Sequence, residues 1–191
     1  MTPPDVGMAA SLARISGELT SVLDRLSAGP AGLDEVLDVL AGADRVFVLG
    51  AGRSGLALQM TAMRLMHLGL DVHVVGETTT PAIRAGDVLL TASGSGTTTG
   101  IVRAAETATG VGARIVAITT APGSPLGQAA DALVVVPAAT KLDRSGTTSA
   151  QYAGGLFEQA VVLVGDALFD ALWRRSDLSA DDLWPRHANL E

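Results

Sequence analysis

No cysteine occurs anywhere in the 191 residues. Disulfides, thiol nucleophiles and cysteine-ligated zinc are therefore excluded together. Aromatic residues are almost as scarce, at 3%, and Lys141 is the sole lysine. A nucleic-acid surface needs basic stripes and stacking rings, and a net charge of −7 with so few rings argues against one. A P-loop is excluded because the lysine it requires is missing from both glycine-rich stretches. Only three histidines are present, His67, His73 and His187, and no pair has ligand spacing, so no metal is expected. The opening residues Met1 to Asp5 lack a basic region leading into an apolar core, and no signal peptide is expected. The most apolar helical stretch, Ala160 to Trp173, is broken by Asp166 and Asp170 and reads as no membrane span. The expected location is the cytoplasm.

What the chain has instead is aliphatic mass. Hydrophobic residues make up 48% and charged residues only 17%, which predicts that part of the surface is covered by like subunits. The length suits one domain with a sizeable core. Leu12, Ile15, Leu19, Val22, Leu23 and Leu26 recur at spacings of three and four and predict a helix from about Val6 to Leu26, stopped at Gly29-Pro30. A second short helix is expected over Leu33 to Leu40. Five apolar runs then read as strands: Arg45 to Leu49, Asp71 to Val75, Val88 to Thr91, Ile115 to Ile118 and Leu133 to Val136. Helical segments are expected between them, the last opening at Ser124-Pro125, a favoured helix start. A weakly patterned loop, Pro137 to Ser149, leads to a long helix from about Gln151 to Arg174 and a polar tail, Ser176 to Glu191. The expectation is a single domain over 1–191, with N-terminal helices to residue 43, the sheet and its helices over 44–175, and the tail over 176–191.

Apolar strands alternating with helices imply an α/β fold with a parallel sheet covered on both faces. Five such strands suggest the doubly wound order 2-1-3-4-5, in which the loops after the first and third strands part to form a ligand crevice. Those loops are Gly50 to Gly55 and Ser93 to Thr98. The second is the more informative. Small residues let its backbone turn tightly and approach a ligand, the hydroxyls of Ser93, Ser95, Thr97 and Thr98 add donors, and the next helix aims its positive end at the same spot. That is a phosphate cradle without lysine, although a strand-to-helix turn with a Thr N-cap has the same local pattern. Gly50-x-Gly52-x-x-Gly55 also matches a dinucleotide fingerprint, with Glu77 near the place of a ribose-binding acid. That reading leaves the Ser/Gly loop unexplained.

His67 precedes Gly69 at the end of the helix that starts near Ser54, roughly 20 Å from the crevice at about 1.5 Å per residue. A cationic helix-end role is expected for it. His73 lies within a strand and reads as structural. Glu158 stands almost alone in the apolar helix start Ala153 to Val162, either solvated in a first turn or held in a shielded site.

With these pieces in place, the chain resembles the sugar-isomerase (SIS) family. The resemblance is carried by Gly50 to Gly55, Met63 to Gly69, Val75 to Thr78 with Pro81, Ser93 to Thr97, Ser124 to Leu126, Thr140-Lys141, Leu156 to Gln159 and the closing Arg186 to Glu191. It implies an open-chain exchange between a 3-ketohexose 6-phosphate and fructose 6-phosphate, of the kind used in formaldehyde fixation, with no metal or organic cofactor. It also implies a homotetramer. Substrate binding falls on Ser54 and on Ser93, Gly94, Ser95, Gly96, Thr97 and Thr98, with Arg53 the next candidate for the phosphate. The proton-accepting role falls on Glu158. For His187, the expectation is a place near a neighbouring subunit's crevice, where it moves protons between enediol oxygens. A sugar-phosphate-binding module without catalysis, and a nucleotide-binding oxidoreductase, are the other two classes the residues allow.

Overall fold

The computed structural model describes residues 7–29, 32–143 and 145–190. Two helices, α1 (Met8–Ala28) and α2 (Leu33–Ala41), precede the sheet. The expected start of α1 at Val6 and its stop at Pro30 lie outside the described residues. The chain then alternates through β1 (Val46–Gly50), α3 (Arg53–Leu68), β2 (Val72–Val74), β3 (Val88–Ala92), α4 (Thr99–Gly110), β4 (Arg114–Thr119), α5 (Pro125–Ala129) and β5 (Ala132–Val135). All pairings are parallel and the order is β2-β1-β3-β4-β5, as the sequence pattern predicts.

Side chains leave a strand alternately to either face, and here the alternation divides the core. Val46, Val48, Val88, Leu90, Val116 and Ile118 meet α1, α2, α3 and the long helix α6 (Gly155–Arg175) on one face. Phe47, Leu89, Ile115 and Ala117 meet α4 and α5 on the other. The central strands are buried on both faces, so they read as unbroken apolar runs; each such Leu, Ile or Val contributes about 1.5–3 kcal/mol. Asp87, fully buried at the foot of β3, is neutralised by Arg45, whose guanidinium donates to both carboxylate oxygens at 2.9 and 2.6 Å.

Two expectations need correction. No helix joins β2 to β3. The segment 75–87 holds Pro81 and turns through positive φ at Gly76 (+99°) and Gly86 (+90°), conformations that end rather than propagate a helix. The long helix begins at Gly155, not near Gln151, because Ala153 (φ +48°) and Gly154 (φ +84°) adopt left-handed backbone just before it. The polar tail is also structured. Ser179 and Asp182 form a reciprocal capping box that opens α7 (Ala180–Leu183), and a 3-10 turn over Trp184–Arg186 follows. Leu183 is buried, and Arg186 donates to the carbonyl of His67 at 3.3 Å, closing the tail over the end of α3. Among the described residues, no helix is long and apolar enough to cross a membrane.

Candidate active site

The crevice lies beyond the carboxyl ends of β1 and β3, where the strand order reverses. It is a cavity of about 750 Å³. The Gly50–Gly55 turn forms one wall. A Cβ on Gly50 would stand 2.7 Å from the backbone nitrogen of Gly55, and one on Gly55 would stand 2.6 Å from the carbonyl oxygen of Gly50. Backbone touches backbone here, so neither position admits a side chain. These two glycines are thus explained by the turn itself, without a dinucleotide. Glu77, the acid that a dinucleotide reading requires, is exposed and does not line the cavity.

The Ser93–Thr98 loop forms the facing wall and is braced from behind. The carbonyl oxygen of Gly94 accepts from the Thr119 and Thr120 hydroxyls and from the Thr120 N–H at 2.8–3.1 Å. The buried Ser93 hydroxyl accepts from Gly96 N–H at 3.2 Å and lies 3.0 Å from the Thr98 hydroxyl. Thr98, the N-cap of α4, makes no side-chain capping bond, so the first N–H groups of α4 are left for a ligand. Ser93, Gly94, Ser95 and Thr98 line the cavity. Gly96 and Thr97 do not: Gly96 is buried behind the loop, and Thr97 donates its hydroxyl to Ser95 Oγ at 3.0 Å.

Three helices begin at this cavity, α3 at Arg53, α4 at Thr99 and α6 at Gly155. Each N-terminus carries roughly half a positive charge, so an anion is favoured here despite the acidic chain. α3 and α6 pack closely enough that a Cβ on Gly165 would collide with the Thr61 hydroxyl. This packing sets Ser54 in the cavity wall and brings Arg53 and Glu158 together. Arg53 Nε lies 2.5 Å from Glu158 Oε2, the Arg53 side chain being 67% exposed and that of Glu158 19%. An ion pair so open is worth about 0–1 kcal/mol, so an entering anion can take the guanidinium and free the carboxylate. Phe157 packs against Gly94 and lines the cavity together with Glu158.

His67 and His187 are elsewhere. Their rings stack at 4.1 Å at the far end of α3, and Trp184 also stacks with His187, at 4.8 Å. His67 is buried, and burial, followed by the nearby His187 and Arg64, holds its pKa below the usual histidine value. The tail covers His67, and this burial works against the expected cationic helix-end role. His73 stands beside Phe47, with its Nε2 3.2 Å from Asp71 Oδ1. Among the described residues, no three His, Asp or Glu side chains are grouped to hold a metal ion.

Sequence reasoning missed the third wall. The segment 137–154 returns across the crevice and brings Lys141, Gln151 and Tyr152 to it, and Gln159 of α6 joins them. The signal available was the sole lysine of the chain, placed in a long loop.

Comparison with known proteins fits this geometry. The SIS domain family model matches residues 39–162, nearly two thirds of the chain. The chain belongs to the SIS domain family. It is 56% identical to 3-hexulose-6-phosphate isomerase of Mycobacterium gastri over 93% of this chain and 92% of that one. It is 36% identical to the Bacillus subtilis protein of the same name over 83% and 86% of the two chains. A crystal structure from Methanococcus jannaschii, described as implying 3-hexulose-6-phosphate isomerase function, superposes with a TM-score of 0.80. That protein is 29% identical, and the match covers 95% of this chain and 99% of that one.

Proposed function

We propose that this chain isomerises 3-hexulose 6-phosphate to fructose 6-phosphate in the formaldehyde-assimilating ribulose monophosphate route, acting in the cytoplasm as a homotetramer. The observation that carries the reading is one shielded carboxylate, Glu158, facing an anion cradle built from helix N-termini and serine and threonine residues. The likeness to the Mycobacterium gastri and Bacillus subtilis enzymes supplies the substrate.

The chemistry needs little more. The C3 ketone makes the C2 proton acidic. Glu158 removes it to give a 2,3-enediol and returns a proton to C3, leaving the carbonyl at C2. In a 3-ketose, a five-membered ring would have to close through O6, which the phosphate blocks, so the substrate arrives open and no ring-opening acid is required. The phosphate sits on the Ser93–Thr98 loop and the start of α4, with Arg53 and Ser54 beside it, while Glu158 is held at the reacting carbons. Supplying the purified protein with ribulose 5-phosphate, formaldehyde and an active hexulose-phosphate synthase tests the proposal. Fructose 6-phosphate is the expected product. Its absence while the synthase turns over would leave a sugar-phosphate-binding module in place of an enzyme.

Ser95 is the hydroxyl best placed for the phosphate, since it is exposed and lines the cavity. Ser95→Ala should weaken fructose 6-phosphate binding by about 1–3 kcal/mol, measured by calorimetry, as expected for a hydrogen bond to a charged group. Unchanged affinity would move the phosphate toward Arg53.

His187 is too far from its own crevice to serve it, roughly 20 Å along α3. Its exposure on the tail supports a role in a neighbouring subunit's site, shuttling protons between the enediol oxygens. His187→Asn and Glu158→Gln homomers should then both be weakly active, and co-refolding them should restore part of the turnover. No recovery in mixed oligomers would confine His187 to its own subunit.

A further inference from the structure

The crevice's third wall is an 18-residue strap, 137–154, without helix or strand among its described residues. Unstructured connections of this length are uncommon inside compact domains and are usually functional. Helix α1 grips it at both ends. Arg25 donates to the carbonyl of Pro137 at 2.9 Å. Seven residues earlier, Glu18 takes three donors from the other end: the Ser149 hydroxyl at 2.7 Å, Ala150 N–H at 2.9 Å and Gln151 Nε2 at 3.0 Å. A spacing of seven puts both grips on one side of the helix, about 10 Å apart.

Glu18 does more than hold the backbone. A carboxylate only accepts, so Gln151 must turn its NH2 toward it. The Gln151 carbonyl oxygen is then left to accept from Gln159 Nε2, at 2.8 Å. The orientation of one carboxylate thus fixes two amides in turn, and both glutamines line the cavity. Gln159 is the direct neighbour of Glu158 on α6. Burial works to raise the pKa of Glu18, but the bonds from Ser149, Ala150 and Gln151, with the charge of Arg14, outweigh it and keep the group ionised.

We propose that Glu18 is a positioning residue: from α1 it latches the strap and orders Gln151, Gln159 and Lys141 around the substrate, without touching it. Glu158 itself is held by the packing of α6 on α3, so loss of the latch should affect binding more than the chemical step.

The chain carries its own reporter. Endoproteinase Lys-C cuts after lysine, and the single site is Lys141, on the strap. In Glu18→Gln, one amide oxygen replaces two acceptor oxygens and cannot serve three donors. Cleavage into 1–141 and 142–191 should speed up at least tenfold in the full chain without ligand, and Arg25→Gln should do the same from the other end. KM for the sugar phosphate should rise at least tenfold in Glu18→Gln, with kcat falling less than threefold. Leu19→Ala, which weakens the packing of α1 on the core but leaves the bonds from Glu18 and Arg25 to the strap in place, is the control. Equal acceleration in that control would assign the effect to helix stability and overturn the proposal. So would an unchanged cleavage rate in Glu18→Gln, or faster cleavage with an unchanged KM. The kinetic arm rests on the isomerase reading. Were the parent protein inactive, the same comparison would use the Kd for fructose 6-phosphate, and an unchanged Kd would likewise overturn it.

Discussion

Replacing Glu158 by Gln lowers turnover by about 10²–10⁴, the usual contribution of a general base, while folding, assembly and fructose 6-phosphate binding persist. The amide keeps the shape of the side chain and can still face Arg53, but it cannot accept a proton from carbon. Persistence of the fold follows from the position. Glu158 is in the first turn of α6, whose anchorage comes from Leu156, Phe157, Ala160, Val161 and Val164 in the core. The charge it loses was offset only by an exposed arginine, so no buried ion is orphaned. Stopped-flow assay in the isomerase direction measures the loss, and exchange of the C2 proton with deuterated solvent measures the proton step directly. Exchange at the parent rate in Glu158→Gln would place the base on another residue. Failure to bind fructose 6-phosphate would instead make Glu158 a structural partner of Arg53.

The parts of this site that the sequence made legible are those with local physical signatures. Strands buried on both faces announce themselves as apolar runs, and the glycines of two strand-to-helix turns announce close backbone approach. The switch point follows from strand order, so the convergence of 50–55 and 93–98 needed no contact to be seen. Non-local features were hidden. Nothing in the segment 137–154 forms a periodic pattern, because its order comes from Glu18 and Arg25, more than a hundred residues away in the chain. The burial of His67 was hidden for the same reason. Its place at a helix end argues for a cation, and only the returning tail, with Arg186 and His187 over it, supplies the burial that works against the charge. The start of α6 was misplaced by four residues because Ala153 gives no local warning that its φ is +48°. Within the Ser/Gly loop, the sequence could not say which hydroxyls face the ligand. Ser95 and Thr97 look alike on paper, yet only Ser95 lines the cavity.

Gly96→Ala should be the most damaging single-atom addition to the cradle. Gly96 sits at φ +62°, where a side chain costs about 1 kcal/mol or more, and its added Cβ would overlap the Ser124 hydroxyl. Ser124 cannot simply step aside. It is the N-cap of α5, accepting from Gly127 N–H at 3.2 Å, and Leu126 N–H donates to the carbonyl of Gly96 at 3.1 Å. The strain is therefore shared between the loop and the start of α5, and a loss of about 2–4 kcal/mol is expected. For a domain of this size that lowers Tm by about 5–15 °C in a thermal melt. The folded fraction should also bind fructose 6-phosphate at least tenfold more weakly, because Ser95 and the first N–H groups of α4 shift together. A second substitution separates steric overlap from backbone strain. Ser124→Gly alone removes the capping hydroxyl but leaves a residue tolerated at an N-cap, and should cost only about a few tenths of a kcal/mol. Combined with Gly96→Ala it also removes the overlapping atoms, so the double variant should be more stable than the two losses added together, by about 0.5–3 kcal/mol. Strict additivity would mean that the left-handed backbone at Gly96, and not its contact with Ser124, is what excludes a side chain there.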